Sequence, residues 1–132
     1  MTRDGPLWQV LLAVGLGAAV GAWLRWGLSY WLNPRVAHLP LGTLAANLVG
    51  GHLIGIAIAA FVVQPGIAPA WRLLIVTGFL GGLTTFSTFS AESVALMQAG
   101  QWAAAGLHTA LHLGGSPVAT VFGIWTVRVF AT

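Results

Sequence analysis

The sequence predicts an all-α membrane protein in which four transmembrane helices form a single domain over residues 1–132. First, 58% of the residues are hydrophobic and only 5% are charged, whereas soluble domains carry roughly 25% charged residues, so this chain cannot cover a surface that faces water. Second, short polar and proline-containing breaks separate four apolar stretches, and a span takes about 20 apolar residues. The four predicted spans are residues 7–32, 41–63, 71–97 and 103–130.

The first helix combines small residues with an aromatic end. Its glycines and alanines let a neighbouring helix approach closely, and Asn33-Pro34 ends it. Arg25 lies about two turns before that end. Its guanidinium either snorkels to the lipid headgroups or charges the mouth of an aqueous vestibule, where it would raise the local anion concentration. The residues that mark the membrane interface here are Trp23, Trp26, Tyr30 and Trp31.

The second helix has a small-residue face and one internal amide. Gly42, Gly50, Gly51 and Gly55 recur along it, which favours close helix packing. Asn47 lies among them, well inside the span. Taken alone, such an asparagine most often makes a hydrogen bond between helices, worth about 0.6–2 kcal/mol in a membrane bundle. The functional alternative is an amide donor that faces an anion path.

The third segment holds the most unusual stretch of the chain. Within residues 78–90, five hydroxyl groups and three phenylalanines interrupt an apolar span. The adjacent Gly81 and Gly82 predict a break in the helix between Gly81 and Thr84. At membrane depth a break is tolerated only where protein or an internal cavity satisfies the freed backbone groups. We therefore interpret this segment as the working part of a small channel.

Spacing arranges the side chains of this segment on two neighbouring faces. Thr84, Ser87 and Thr88 share one helical face, while Phe86 and Phe89 are three residues apart on the next. Hydroxyl donors and the positive edges of phenyl rings can replace the water around a small anion without holding it as tightly as an arginine would, which suits conduction. The simpler alternatives are hydroxyls that bond back to the preceding turn and rings that pack against lipid.

An acid and a polar stripe complete the candidate pathway. Glu92 is either a solvated residue near the helix end or an intramembrane acid that marks a pathway. The fourth helix carries four polar residues spaced four apart, a stripe that we expect to face a path or a partner. Residues 114–117 predict a kink in the same helix. Two histidines at i and i+4 can also bind zinc, but the helix offers no third ligand, so zinc is disfavoured. The stripe consists of His108, His112, Ser116 and Thr120.

Composition excludes several classes of function. The chain has no cysteine, which rules out disulfides and thiolate metal sites. Its only acids, Asp4 and Glu92, cannot form the carboxylate pair or the triad of a hydrolytic enzyme, so we expect no enzyme. No basic cluster offers a surface for nucleic acid.

Arginine positions leave the membrane orientation open. If both termini lie on one side, that side holds Arg3, Arg72 and Arg128, and the other holds Arg35, with Arg25 at or below the interface. The positive-charge excess that sets orientation is therefore small. Either the chain inserts one way, or copies insert both ways and pair antiparallel. Four helices are also too few to enclose a pore and shield it from lipid, so we expect an oligomer.

The third-segment motif resembles the signature of the Fluc (CrcB) family of fluoride channels. This resemblance implies an antiparallel dual-topology homodimer with two pores, which exports toxic cytoplasmic fluoride passively across the cell (inner or plasma) membrane. The implied partners are fluoride, membrane lipid and a second copy of the chain. The resemblance covers essentially the whole chain, and the residues that carry it are Gly81 to Ser90 with Glu92, Arg25, Gly42-Thr43-Leu44, Asn47 and Gly50.

The resemblance also implies roles for individual side chains in the anion path. Phe86 and Phe89 would be ring-edge fluoride ligands, and each pore would use rings of both subunits. Asn47 would be a pore-lining donor. Ser87 and Thr88 would belong to a track of hydroxyl groups.

A structural sodium ion is a further implication of the resemblance. The backbone carbonyls of Gly81 and Thr84 would bind Na+ at the dimer interface, where the two helix breaks cross.

One feature departs from the family pattern, which has a tyrosine and a serine where His108 and His112 fall. Because imidazole gains charge near pH 6.5 in water, we expect flux to vary between about pH 5 and 7 if either histidine faces the pore. A flat profile over this range would contradict that expectation.

Two other functions compete with a fluoride channel. A small dual-topology multidrug-type transporter exchanges protons for drug through a membrane-embedded acid in its first helix, and residues 7–32 contain no acid. A structural membrane subunit without transport activity would have no need for the hydroxyl run or the polar stripe.

Overall fold

The computed structural model describes residues 2–131, and four long spans account for most of them. The first two helices are α1, Leu7–Leu32, and α2, Leu41–Val63. The third span is Pro69–Gln98, and the last helix, α5, is Trp102–Phe130. All four are long and apolar enough to cross a membrane, which confirms the predicted all-α membrane fold with four spans.

The third span is interrupted near its middle. The label α3 covers residues 69–83, which include a π-helix at Leu73–Leu80 and end with the turn Gly81–Leu83. Thr84 then takes an extended conformation (φ −89°, ψ 153°). A second helix, α4 (Ser87–Gln98), completes the span. The predicted break is confirmed, and it begins at Thr84, the last residue of the expected interval.

The glycine pair before the break serves helix packing. Gly81 keeps helical dihedral angles (φ −62°, ψ −36°). A Cβ on Gly82 would overlap the backbone of Ala18 in α1, and a Cβ on Gly78 would lie 2.7 Å from the Val14 carbonyl oxygen. Gly78 and Gly82 therefore allow close contact with α1 while the backbone stays helical. The break in the helix follows the glycine pair, at Thr84.

Glycines also set the two closest helix crossings. α2 packs chiefly against α5, and α1 packs against α3. A Cβ on Gly55 or Gly123 would overlap the backbone across the α2–α5 crossing, and one on Gly17 or Gly21 would overlap the backbone of α3. Small residues of this kind let membrane helices associate through close packing.

The outside of the bundle is apolar and aromatic. The four aromatic residues predicted to mark the interface at the end of α1 are all at least 63% exposed, as lipid-facing side chains would be. The centre holds a small apolar cluster of Ala46, Leu80 and Leu83. At residues 114–117, where a kink was expected, α5 continues through Pro117 as one α-helix. The protein is therefore a multi-pass membrane protein.

Candidate functional site

Asn47 on α2 holds the backbone of the break. Its Oδ1 accepts a hydrogen bond from the Thr85 backbone N–H at 2.8 Å, and its Nδ2 donates to the Thr85 carbonyl oxygen at 2.9 Å. A helix that stops inside the membrane frees backbone groups that have no water to pair with. One side-chain amide therefore satisfies both backbone groups of a residue in the break.

Hydroxyl groups make hydrogen bonds to the backbone on either side of the break. Thr84 Oγ1 donates back to the Leu80 carbonyl oxygen at 2.8 Å. Thr85 Oγ1 accepts from the Thr88 backbone N–H at 3.1 Å, at the start of α4. Part of the hydroxyl run is thus used to stabilise the interrupted helix, as the simpler interpretation of these residues expected.

The break also corrects the expected arrangement of the hydroxyl face. Thr84 lies on the far side of the interruption from Ser87 and Thr88, so these three side chains cannot share one continuous helical face. Ser87 is exposed, and its Oγ lies 3.4 Å from Thr85 Oγ1. The spacing argument failed here because it assumed an unbroken helix.

Arg25 connects α1 to the end of α3. Its Nε donates to the carbonyl oxygen of Gly82 at 3.1 Å, and the side chain is partly buried. The last carbonyls of a helix have no intrahelical donor, so this contact satisfies one of them just before the break. This contact was not part of either sequence interpretation, which placed the Arg25 guanidinium at the lipid headgroups or at the mouth of a vestibule.

Four aromatic rings form one contiguous cluster beside the break. Phe89 is 5% exposed and stacks on His112, with 4.5 Å between ring centroids. It also lies 5.4 Å from the ring of His108. Phe86 meets Phe89 edge-on at 5.4 Å and stays 71% exposed. The two phenylalanines do lie together, one buried and one at the surface.

A carboxylate reaches this cluster from α4. Thr43 Oγ1 donates to Glu92 Oε1 at 2.6 Å, and Glu92 Oε2 lies 3.3 Å from His108 Nε2. The Glu92 side chain is only 18% exposed, and the side chain of His108 is fully buried. Glu92 is therefore an acid inside the protein with specific partners.

Glu92, His108 and His112 together have the spacing of a metal site. Each offers one ligand atom, and these atoms lie within 4.8 Å of one another. The expectation that zinc lacks a third ligand was wrong, because it considered only the fourth helix, while the acid comes from α4. Four side-chain atoms in this group make no hydrogen bond among the described residues, although two of them, Glu92 Oε2 and His108 Nε2, face each other at 3.3 Å, and buried polar atoms of this kind call for an explanation. They are Glu92 Oε2, His108 Nδ1, His108 Nε2 and His112 Nε2.

The polar stripe of α5 divides into two parts. His108 and His112 join the aromatic cluster. Thr120 Oγ1 lies within hydrogen-bond distance of the carbonyl oxygens of Gly51 (2.9 Å) and Ser116 (3.0 Å), which joins α5 to α2. One end of the stripe thus faces a partner helix, and the other faces the candidate site.

A cleft of about 520 Å³ lies in front of the break, between α2, the third span and α5. Among the described residues that line it, none is an arginine, a lysine or an acid. The lining residues that carry polar groups or rings are Asn47, Thr84, Thr85, Phe86, Phe89, His112 and Ser116.

Sequence reasoning missed two residues of this site. Thr43 precedes Asn47 by one helical turn, so its position on the same face was a usable signal. Thr85 had no comparable signal, because its two contacts with Asn47 depend on where the helix breaks.

Comparisons with known proteins identify the family. A family model described as CrcB-like protein, Camphor Resistance (CrcB), matches residues 12–124. The fluoride-specific ion channel FluC of Cupriavidus necator is 59% identical over 127 residues, which cover 96% of this chain and 99% of that protein. The protein of the same name from Cupriavidus metallidurans is 60% identical over 127 residues, with the same coverage. That from Thiobacillus denitrificans is 56% identical over 117 residues, 89% of this chain and 94% of that protein. The chain therefore belongs to the CrcB family.

Proposed function

We propose that this protein is a fluoride-selective channel, and not an enzyme, through which cytoplasmic fluoride leaves the cell passively. The observation that carries the proposal is the cleft beside the break, which Asn47, two phenyl rings and His112 border and whose described lining includes no arginine, lysine or acid. Weak donors and ring edges can replace the water of a small anion and still release it. The names of the relatives point to the same ion.

The two phenylalanines are assigned to the anion itself. Phe89 is buried against His112, and Phe86 is 71% exposed on the same cluster. An exposed ring beside an open cleft is what a pore wall would present if a second subunit supplied the opposite wall. The other pathway residues in this proposal are Asn47, Ser87, Thr88, Arg25, Glu92, His108, His112, Ser116 and Thr120.

Passive flow is sufficient for export. Fluoride enters as the neutral weak acid when the outside is acidic, and it is trapped as the anion inside. A membrane potential that is negative inside then drives the anion out, by roughly 2.3 kcal/mol per charge for each 100 mV. The protein needs only to lower the cost of dehydration along the way.

Two antiparallel copies with a sodium ion between them complete the proposal. In a continuous helix the N–H of Thr85 would bond to the carbonyl of Gly81, but here it donates to Asn47. The N–H of Thr88 would likewise bond to the carbonyl of Thr84, but it donates to Thr85 Oγ1. Both carbonyls thus lose their helical donors, and hard cations take oxygen ligands. Because two oxygens are too few for a cation, the second copy would supply the rest.

Efflux from liposomes tests the function directly. Purified protein is reconstituted with internal fluoride, and release is followed with a fluoride electrode beside a matched chloride-loaded sample. We expect fast fluoride release and retained chloride. Equal release of both ions, or of neither, would refute the proposal; release of neither would favour a structural subunit.

Replacing sodium tests the proposed ion. We expect that exchanging Na+ for choline during purification weakens the dimer and lowers flux, and that restoring Na+ recovers both. Full dimer content and full flux after exhaustive Na+ removal would exclude a structural role for the ion.

A further inference from the structure

We propose that Asn47 fixes the tautomer of His112, so that His112 presents an N–H donor to the permeating anion, and that the Glu92–His108–His112 cluster is therefore not a transition-metal site. This inference rests on the proposed function, because it names a fluoride contact within the same pathway.

The first step is the orientation of the Asn47 amide. The Thr85 backbone N–H can only donate, so the Asn47 atom that faces it at 2.8 Å must be the oxygen, Oδ1. The Thr85 carbonyl can only accept, so the atom at 2.9 Å must be the nitrogen, Nδ2. Two backbone groups of opposite character therefore fix which end of the amide is the donor.

The second step is the proton on His112. Asn47 Nδ2 also lies 2.9 Å from His112 Nδ1. An amide NH₂ donates and does not accept, so Nδ1 must accept and carries no proton. In the neutral imidazole the proton then lies on Nε2, since one ring nitrogen donates and the other accepts.

The third step is the destination of that proton. His112 is 4% exposed, and its Nε2 has no hydrogen-bond partner among the described residues. A buried donor without an acceptor is unfavourable. Asn47, Phe89 and His112 border the same cleft, so a small anion in this path would be the missing acceptor.

The tautomer also decides between an anion and a metal. A metal-bound imidazole needs a bare nitrogen facing the metal, with its other nitrogen donating to a neighbour. His112 has the reverse arrangement, since it receives a hydrogen bond on Nδ1 and carries its proton on Nε2. Glu92 and His108 alone are too few, because zinc sites in proteins use at least three protein ligands.

Both oxygens of the nearby acid have neighbours other than His112. Glu92 Oε1 accepts from Thr43, and Oε2 lies at ion-pair distance, 3.3 Å, from His108 Nε2. With one proton shared between them, Glu92 and His108 would have zero net charge, whichever of the two residues carries it. The His112 ring also stacks on the uncharged ring of Phe89.

Nuclear magnetic resonance of the channel in lipid bilayers tests the tautomer in the wild-type protein. Protein with 15N-labelled histidine is examined, and the signals of His112 are assigned by their loss in a His112→Gln variant. We expect Nδ1 to be unprotonated and Nε2 protonated, and the Nε2–H signal to move on addition of fluoride but not of chloride or Zn2+. A proton on Nδ1, or a shift caused by Zn2+, would overturn the proposal.

A single-atom change tests the role of Asn47. In Asn47→Asp a carboxylate oxygen would accept from Nδ1–H, which leaves Nε2 bare and creates the carboxylate–histidine pairing of metal sites. We expect this variant to gain Zn2+ binding, measured by calorimetry, that the wild type lacks. Zinc binding of equal strength in both proteins would overturn the proposal.

A pair of variants at residue 112 covers the case in which Asn47→Asp does not fold. His112→Gln keeps an amide donor near the position of Nε2, and His112→Leu removes it. We expect the leucine variant to lose about tenfold or more in fluoride flux relative to the glutamine variant, with all three proteins equally dimeric. Equal flux in both variants would overturn the proposal, whereas a wild type that moves no fluoride would instead refute the channel function.

Discussion

At the scale of the residue, the two phenylalanines of the motif have different environments. Phe89 is 5% exposed and packed beneath His112, while Phe86 is 71% exposed. The same substitution should therefore have different effects on stability at the two positions, even where it has the same effect on transport.

The first prediction concerns these rings. Phe86→Ile and Phe89→Ile should each lower fluoride flux strongly, because an aliphatic side chain has no positive ring edge. Phe89→Ile should also lower the unfolding temperature, since the ring contacts are lost in a packed site, whereas Phe86→Ile should leave it unchanged. Efflux assays and thermal unfolding in detergent measure both.

The matched control is Phe130→Ile, at a residue that is 85% exposed at the end of α5. Wild-type flux in both variants would show that the rings only pack.

The second prediction concerns the hydrogen bond from Thr43 to Glu92. Thr43→Val keeps the shape of the side chain but removes the donor to Oε1, so we expect a loss of about 1–3 kcal/mol in the free energy of unfolding, together with lower flux. Thr43→Ser keeps the hydroxyl donor and should therefore retain both the stability and the flux. The control is Thr126→Val, which removes an exposed hydroxyl bonded only to the Phe122 carbonyl. A similar loss in the control would argue against a special role for the buried pair.

At the scale of the element, close glycine contacts and the Asn47 amide explain how an interrupted helix is tolerated. Glycines bring α1 against α3 and α2 against α5, and Asn47 of α2 then reaches both backbone groups of Thr85. The Asn47 amide can make both hydrogen bonds with Thr85 only if α2 lies close enough to the break in the third span. Helix packing and the geometry of the site are therefore coupled.

The third prediction tests the α2–α5 crossing. In Gly123→Ala the new Cβ would overlap the His52 carbonyl and lie 2.9 Å from the Ile56 nitrogen, so we expect a loss of roughly 1–3 kcal/mol or more in stability, with lower flux. Gly106→Ala is the control on the same helix, because an added Cβ there meets nothing within 4 Å. It should be neutral or slightly stabilising, since alanine favours a helix by about 1 kcal/mol over glycine. Equal stability of the two variants, from thermal unfolding, would contradict this account.

Local pattern was sufficient to predict part of this architecture. Hydropathy predicted four spans, and the glycine pair of the third predicted its interruption, although both glycines stay helical and the break follows them. The onset of the break at Thr84 and the meeting of Glu92 with His108 were not predictable, because each depends on a contact between residues distant in the chain. The roles of the pathway residues and the pH dependence of flux stay predictions.

At the scale of the whole molecule, the proposed channel would use two copies of the chain. An exposed phenyl ring and an open cleft lie at the break, where a second copy would complete the wall. The arginines also fail to favour one orientation strongly. Arg3 and Arg72 line one pocket beside the loop at residues 64–68, and Arg128 lies at the same end by helix order, while Arg25 and Arg35 lie towards the other. An excess this small suits copies that insert both ways.

The fourth prediction tests antiparallel assembly through insertion. Ala37→Lys with Ala99→Lys adds two positive charges to the connections at one end of the bundle, and Gln64→Lys with Ala68→Lys adds two at the other; all four positions are exposed. Because positive loops stay in the cytoplasm, each double variant should insert in a single orientation, opposite to the other. If the channel needs one copy of each orientation, each variant expressed alone should give little fluoride efflux from cells, and co-expression should restore it.

Two variants from the same end, expressed together on separate plasmids, provide the control and should stay inactive. Full flux from either variant alone, with its single orientation verified by labelling an introduced cysteine from outside, would exclude an antiparallel dimer and favour a parallel one.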